Sequence, residues 1–147
     1  GDAYGSSLTE YPWGSNMTVA NNGMYILLYN DIKGGTEDVS VATTQLNYLL
    51  GNNGTGYCFL SGFGSLSPEN PHHRPSQAQG EAVPGMLAGG PNQNIEDPYA
   101  QNVFTDIAPN APALCYADSD QAFSLNEVAI YWNSPVVFLF AYVESLG

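Results

Sequence analysis

The sequence predicts an all-α body that carries long irregular loops. Three observations lead there. Two segments in the first third repeat apolar residues at helical steps, and a third apolar segment closes the chain. Between the second and third lies a stretch dense in Pro, Gly, Asn and Ser, with little periodicity. A structureless connection of that length is uncommon inside a compact domain unless it carries function, so these are expected to be active-site loops on a helical scaffold.

The first helix is expected from Ser15, as N-cap, to about Ile32. Val19, Ala20, Met24, Leu27 and Leu28 form one face, and Gly34-Gly35 stops it. A second helix is expected from about Thr36, with Glu37 and Asp38 near the positive end of its dipole. Its apolar positions are Val39, Ala42, Leu46, Leu49 and Leu50, and the run Gly51-Asn52-Asn53-Gly54 ends it. The third has two candidate starts. One places Ser134 at the N-cap and Pro135 at the first helical position. The other begins at Glu127 and kinks at Pro135. From Val136 to Val143 this segment is apolar almost all round, which calls for burial on every side. Two other helices and polar loops are too little to cover it, so a missing partner is expected.

With 147 residues the chain is long enough for one domain. Its net charge of -12 repels phosphate backbones and anionic membranes, which argues against nucleic acid and membrane partners. A neutral ligand is indifferent to that charge. Polar amides and ten Tyr suit sugar recognition, although an acidic secreted enzyme without a sugar site would share the composition. No apolar run reaches the ~18 residues of a membrane span, and no leader pattern opens the sequence. Cys58 and Cys115 read as two buried free thiols, with pairing as the alternative.

Candidate chemistry gathers in the loops. The segment from Tyr116 to Glu127 holds Asp118, Asp120 and Glu127 beside aromatic residues. Glycoside hydrolysis needs such a pair of carboxyl groups, one as acid and one to activate water or attack. Glu127 also completes a capping box with Ser124, a purely structural reading. A helix start would lower its pKa, so burial against Trp132 and Tyr116, or repulsion from Asp118 and Asp120, would have to raise it. In Asn70-Pro71-His72-His73-Arg74-Pro75 two prolines stiffen the backbone around side chains able to bind sugar hydroxyls or orient a carboxylate. An ordinary surface loop is the alternative; a metal pair is disfavoured because adjacent residues rarely aim at one ion. Asn92, Asn94, Glu96 and Asp97 offer oxygen ligands for a structural calcium ion, though a solvated loop is the better reading. Trp13 is either a stacking platform or packing. Asn16 and Asn53 each match the glycosylation acceptor pattern.

Taken together the segments resemble family 9 of the glycoside hydrolases. The order Trp13-Gly14-Ser15-Asn16, Ser61-Gly62-Phe63-Gly64, His72-His73-Arg74, Pro84-Gly85 and Gly89-Gly90-Pro91-Asn92 follows the family. Tyr116, Asp118, Phe123, Glu127, Ala129, Asn133 and Ser134 fill every defined position of its carboxyl-terminal pattern. Cys58 and Leu66 depart from the His-containing pattern. The resemblance spans Tyr11 to Leu146 and is closest to bacterial endoglucanases whose barrel follows an immunoglobulin-like domain.

The resemblance implies the C-terminal part of an (α/α)6 barrel, the last three of twelve helices, within a single catalytic domain. It implies an extracellular, secreted cellulase that cleaves β-1,4-glucan with inversion and requires no cofactor. Glu127 matches the general acid, with Asp118 and His72 beside it in the catalytic set. Arg74, His73, Trp13 and Tyr116 are the expected substrate contacts. The family's general base, in an Asp-Ala-Gly-Asp type segment, has no counterpart here. The chain is therefore expected to need the N-terminal part of the same enzyme as a companion polypeptide. A glucan-binding module without catalysis and a structural remnant are the competing readings.

Overall fold

The computed structural model describes residues 3–146. Three long helices form the frame: α1 (Ser15–Lys33), α2 (Val39–Leu49) and α6 (Ile130–Glu144). Three short ones sit in the loops between: α3 (Arg74–Gln79), α4 (Pro98–Phe104) and α5 (Phe123–Asn126). The described residues contain no strand, only isolated bridges.

The N-cap of α1 is Gly14 rather than Ser15, because the turn needs a left-handed residue (φ 76°). Ser15 is the first helical residue, and its hydroxyl donates to the Pro91 carbonyl at 2.7 Å. The Asn16 amide N–H, one of the donors a helix start leaves open, donates to the Gly89 carbonyl at 3.0 Å. The Asn16 side chain adds a bond to the Ala88 carbonyl at 2.9 Å. Thus the start of α1 is latched to the segment 88–91. Val19, Ala20, Gly23 and Leu27 form the inner face, and Leu28, expected there, is exposed. Gly23 is the point of closest approach; a β-carbon there would lie 3.1 Å from Leu139 and 3.3 Å from Gln45. Through it α1 packs on both α2 and α6, which also touch each other.

Helix α2 starts later than its charge pattern suggests, at Val39, and Leu50 is its exposed C-cap. Gln45 is buried on its inner face. Its amide accepts from the Ser7 N–H at 2.8 Å and donates to the Gly5 carbonyl at 3.1 Å, holding the N-terminal arm on the frame.

Helix α6 runs through Pro135 as expected of the longer alternative, but it begins at Ile130, not Glu127. Glu127 and Val128 are extended and bridge to His72 and Ala88. The proline leaves the Tyr131 carbonyl without its helical donor, and the Ser134 hydroxyl reaches it at 3.4 Å. Trp132, Pro135, Val136 and Leu139 are buried, yet Ile130 is 93% and Val137 67% exposed. Within this chain the apolar helix is therefore covered on one side only.

The loops are packed, not loose. Phe59, Leu87, Ala88, Cys115, Tyr116, Leu125 and Trp132 continue the helical core beneath them. Both cysteines are free and buried, and burial pushes their thiol pKa values up. Asn16 and Asn53 are also buried, with their amide nitrogens bonded to backbone carbonyls, so neither presents a glycosylation acceptor in the folded chain.

Candidate active site

Around Glu127 the loops build a three-layer ladder. The His72 N–H donates to the Asn126 carbonyl at 2.8 Å. From the other side the Gly89 N–H donates to the Glu127 carbonyl at 2.9 Å and Gly90 N–H to Leu125 at 2.9 Å. Asn126, the last residue of α5, is fully buried, while Glu127, where the backbone becomes extended, is half-buried. His72 is the bridge partner of Glu127, and paired residues share a face.

Asn126 locks this arrangement. Its Oδ1 accepts from the Tyr116 hydroxyl at 2.6 Å, and its Nδ2 donates to the Asn70 carbonyl at 2.7 Å and to Asp118 Oδ1 at 2.9 Å. Asp118 also accepts from the Glu69 N–H (2.8 Å), the Asn70 N–H (2.9 Å) and the Asn70 amide (3.2 Å). Four donors on one carboxylate hold the backbone just ahead of His72. Asp118 thus clamps the loop ahead of His72 to Asn126, the residue before Glu127.

Glu127 itself is differently placed from the capping-box reading. It follows the end of α5 and precedes α6, with extended dihedrals (φ -67°, ψ 155°), and so sits in the first turn of no helix. Ser124 makes no cap for it. The Ser124 hydroxyl and N–H donate instead to Asp97 Oδ2 at 2.5 and 3.0 Å. Among the described residues nothing hydrogen-bonds or ion-pairs with the Glu127 carboxyl group. Trp132, expected to bury it, lies against Gly14 and Gly89, where a β-carbon would come within 3.1 and 3.2 Å of its ring.

His72 is exposed and its Nδ1 lies 2.6 Å from the Asp120 carbonyl. A carbonyl only accepts, so Nδ1 carries the proton. In the neutral ring Nε2 is then an acceptor. His72 sits 5.8 Å from Phe123, which in turn sits 5.8 Å from Trp13, giving a row of three rings. Trp13 is 38% exposed.

His73 takes another direction. Its Nδ1 lies 2.9 Å from the Ser76 hydroxyl and caps α3, and it faces a separate hollow with Met86, Val128 and Asn133. Adjacent extended residues diverge, which removes His73 from the His72 face and the pair from any shared metal. Arg74 opens α3, exposed and without a bonding partner among the described residues. Tyr116, expected to contact substrate, is 6% exposed and wedged edge-on between Tyr57 and Phe59. It has no free face and acts as a support. Burial, then the charge of Asp118, holds its hydroxyl pKa well above the usual range.

Of the oxygen cluster at 92–97, Asn92 and Asp97 are buried, while Asn94 and Glu96 are exposed. Asn92 bonds to Glu96, the Ser124 carbonyl and the Asn94 N–H, and Asp97 caps α4 through the Ala100 N–H at 2.7 Å. Asn92 Oδ1 accepts from a backbone N–H, Asp97 accepts from the Ala100 N–H and from Ser124, and Glu96 accepts from the Asn92 amide. No group of three His, Cys, Asp or Glu able to hold a metal occurs among the described residues.

Asn126, Phe123 as the central ring, and Asn133, whose Oδ1 accepts from the Leu87 N–H at 2.9 Å, were not singled out individually as site residues. Their signal was present only as positions of the family pattern or beside them.

Helices that leave carboxyl groups and aromatic rings gathered on packed loops define a loop-borne site on an all-α frame. The chain matches the model of Glycosyl hydrolase family 9 over residues 3–140, and it belongs to that family. It matches the C-terminal portion of the catalytic domain, part of an (α/α)6 barrel. A xyloglucan-specific endo-β-1,4-glucanase of Bacteroides ovatus is 34% identical over 98% of this chain and 24% of the relative. A cellulose 1,4-β-cellobiosidase of Acetivibrio thermocellus is 32% identical over 92% of this chain and 16% of the relative. A thermostable endoglucanase from Alicyclobacillus acidocaldarius superposes with TM-score 0.83 at 39% identity, covering 90% of this chain and 25% of that one. The chain thus spans a quarter or less of these relatives.

Proposed function

We propose that this chain is the acid-bearing part of a secreted endo-β-1,4-glucanase that inverts the anomeric centre. Glu127 is the general acid. Its carboxyl group protonates the leaving glycosidic oxygen as the bond from C1 breaks, and the oxocarbenium-like centre is captured by water from the opposite face. The carboxylate that takes the water's proton comes from the upstream part of the same domain, ~6.5–9.5 Å away as inversion requires. His72 accepts a hydroxyl of the sugar next to the scissile bond, Arg74 donates to it, and Trp13 stacks on a glucose ring. One observation carries this reading: a half-buried carboxyl group without a bonding partner, laddered to His72 on the open face and braced from behind by Asn126.

The substrate class rests on the relatives, a cellobiosidase and a xyloglucan endoglucanase among them. Residues 1–147 form one segment of a single catalytic domain, and its companion is the upstream part of that domain. The bare faces of α6 and of α1, where Ile32 is 87% exposed, are where that part docks. No described helix is long and apolar enough to cross a membrane.

The test is complementation. Pure chain should not release sugar from carboxymethyl cellulose; chain refolded with the upstream part should, and the same assembly carrying Glu127→Gln should lose about 10²–10⁴ of its rate. Turnover by the pure chain overturns the proposal.

A further inference from the structure

The turn that delivers Glu127 has little to hold it locally. Helix α5 is a single turn of four residues, and Ala122 at its N-cap offers no side-chain oxygen to the open N–H groups. Isolated helices this short are unstable in water. The anchor comes instead from Asp97, 27 residues upstream of Ser124 and fully buried.

Asp97 is the N-cap of α4, with Pro98 at the first helical position, and its Oδ1 accepts from the Ala100 N–H at 2.7 Å. Its Oδ2 accepts from both the N–H and the hydroxyl of Ser124. Ser or Asn caps a helix about as well as Asp, each with one accepting oxygen. A carboxylate brings two, and here the second goes to Ser124. Asn92, also fully buried, takes the remaining polar group: its Nδ2 donates to the Ser124 carbonyl at 3.3 Å. The N–H, hydroxyl and carbonyl of Ser124 are therefore all held by the 92–97 loop, three residues ahead of Glu127.

We propose that Asp97 is a positioning residue for the general acid. It acts through Ser124, fixing α5 and with it the place from which Glu127 reaches the leaving oxygen. The inference rests on the glucanase reading above and goes beyond it, assigning a part in proton delivery to a residue that burial keeps from any substrate.

The leaving-group dependence of the assembled enzyme tests it. Misplacing a reacting group by about 1 Å costs on the order of 10²-fold. Asp97→Asn should lower kcat for cellohexaose about 10- to 100-fold, with KM within about two-fold. Dinitrophenolate departs without being protonated, so turnover of a dinitrophenyl cellobioside should change less than about three-fold. Ser124→Ala removes one of the two bonds to Asp97 and leaves the α4 cap intact. It should show the same split at about 3- to 10-fold, and it decides the matter should Asp97→Asn fail to fold. Equal losses on both substrates, a change confined to KM, or no loss on either would overturn the assignment. If the unsubstituted assembly turns over neither substrate, the glucanase reading has failed instead. The carbon NMR resonance of the Glu127 carboxyl group then decides alone: displaced by Ser124→Ala it upholds the positioning role, and unmoved it sinks it.

Discussion

Replacing Asn126 by alanine would remove three side-chain hydrogen bonds at once and leave the buried Tyr116 hydroxyl without an acceptor. A buried unsatisfied group costs about 1–3 kcal/mol, and the lost bonds add to it. We expect Asn126→Ala to lower unfolding free energy by about 2–4 kcal/mol in a denaturant titration. Asn126→Asp should do at least as much damage, since it swaps a donor for a carboxylate oxygen 2.9 Å from Asp118 Oδ1. By contrast Glu127→Gln should shift stability by less than about 0.5 kcal/mol, because no described residue bonds to that carboxyl group. A stable but inactive variant separates chemistry from scaffolding. Glu127 was legible because the spacing of the family pattern marks it. Its capping-box excuse failed because Ser124 is claimed by Asp97, a partner far off in sequence that no local motif reveals.

Between elements, the tightest joint is where Gly90 passes the start of α1. Gly90 has φ 91°, and a β-carbon on it would lie 2.4 Å from the Asn16 side chain, which is buried and bonded to Ala88. Gly90→Ala should therefore cost well over the ~1 kcal/mol of the backbone strain alone. Gly80→Ala is the matched control: φ is 78° and nothing lies within 4 Å. Thermal melts of the two variants measure the difference, and equal losses would show that the latch is soft. The helix faces of α1 and α2 were readable from their periodicity, apart from Leu28 and Leu50 at their margins. The 92–97 segment was not. Asn92 and Asp97 look like loop residues in sequence, and only the closing of α4 onto α5 buries them.

At the scale of the molecule two consequences follow. The first concerns alkali. Tyr116 and Tyr57 have hydroxyl pKa values raised above 10.0, by burial first and by Asp118 next. A raised folded pKa means that the neutral form is favoured in the fold. The associated stability is whole below pH 10, the ordinary tyrosine value, and drains away as pH rises through the folded values. Melting temperature should thus fall as pH rises above 10, and less steeply in Tyr116→Phe, which starts lower for want of the Asn126 bond. A parallel fall in both proteins would refute the assignment. The second concerns assembly. Val137 is 67% exposed on the bare side of α6, so Val137→Glu should leave the isolated chain's melt unchanged yet abolish complementation by the upstream part.

What the residue order determined by itself is local or patterned: helices from their 3.6-residue repeat, the glycine stop of α1, and the family. Those signals need only neighbours along the chain or a fixed spacing. What the tertiary structure alone decided is direction and burial. It sent His72 and His73 to opposite faces, put Tyr116 behind the site instead of in it, extended the backbone at Glu127, and drew Asp97 under α5. Each outcome depends on which distant segment supplies a hydrogen-bond partner, and that is settled only when the loops pack.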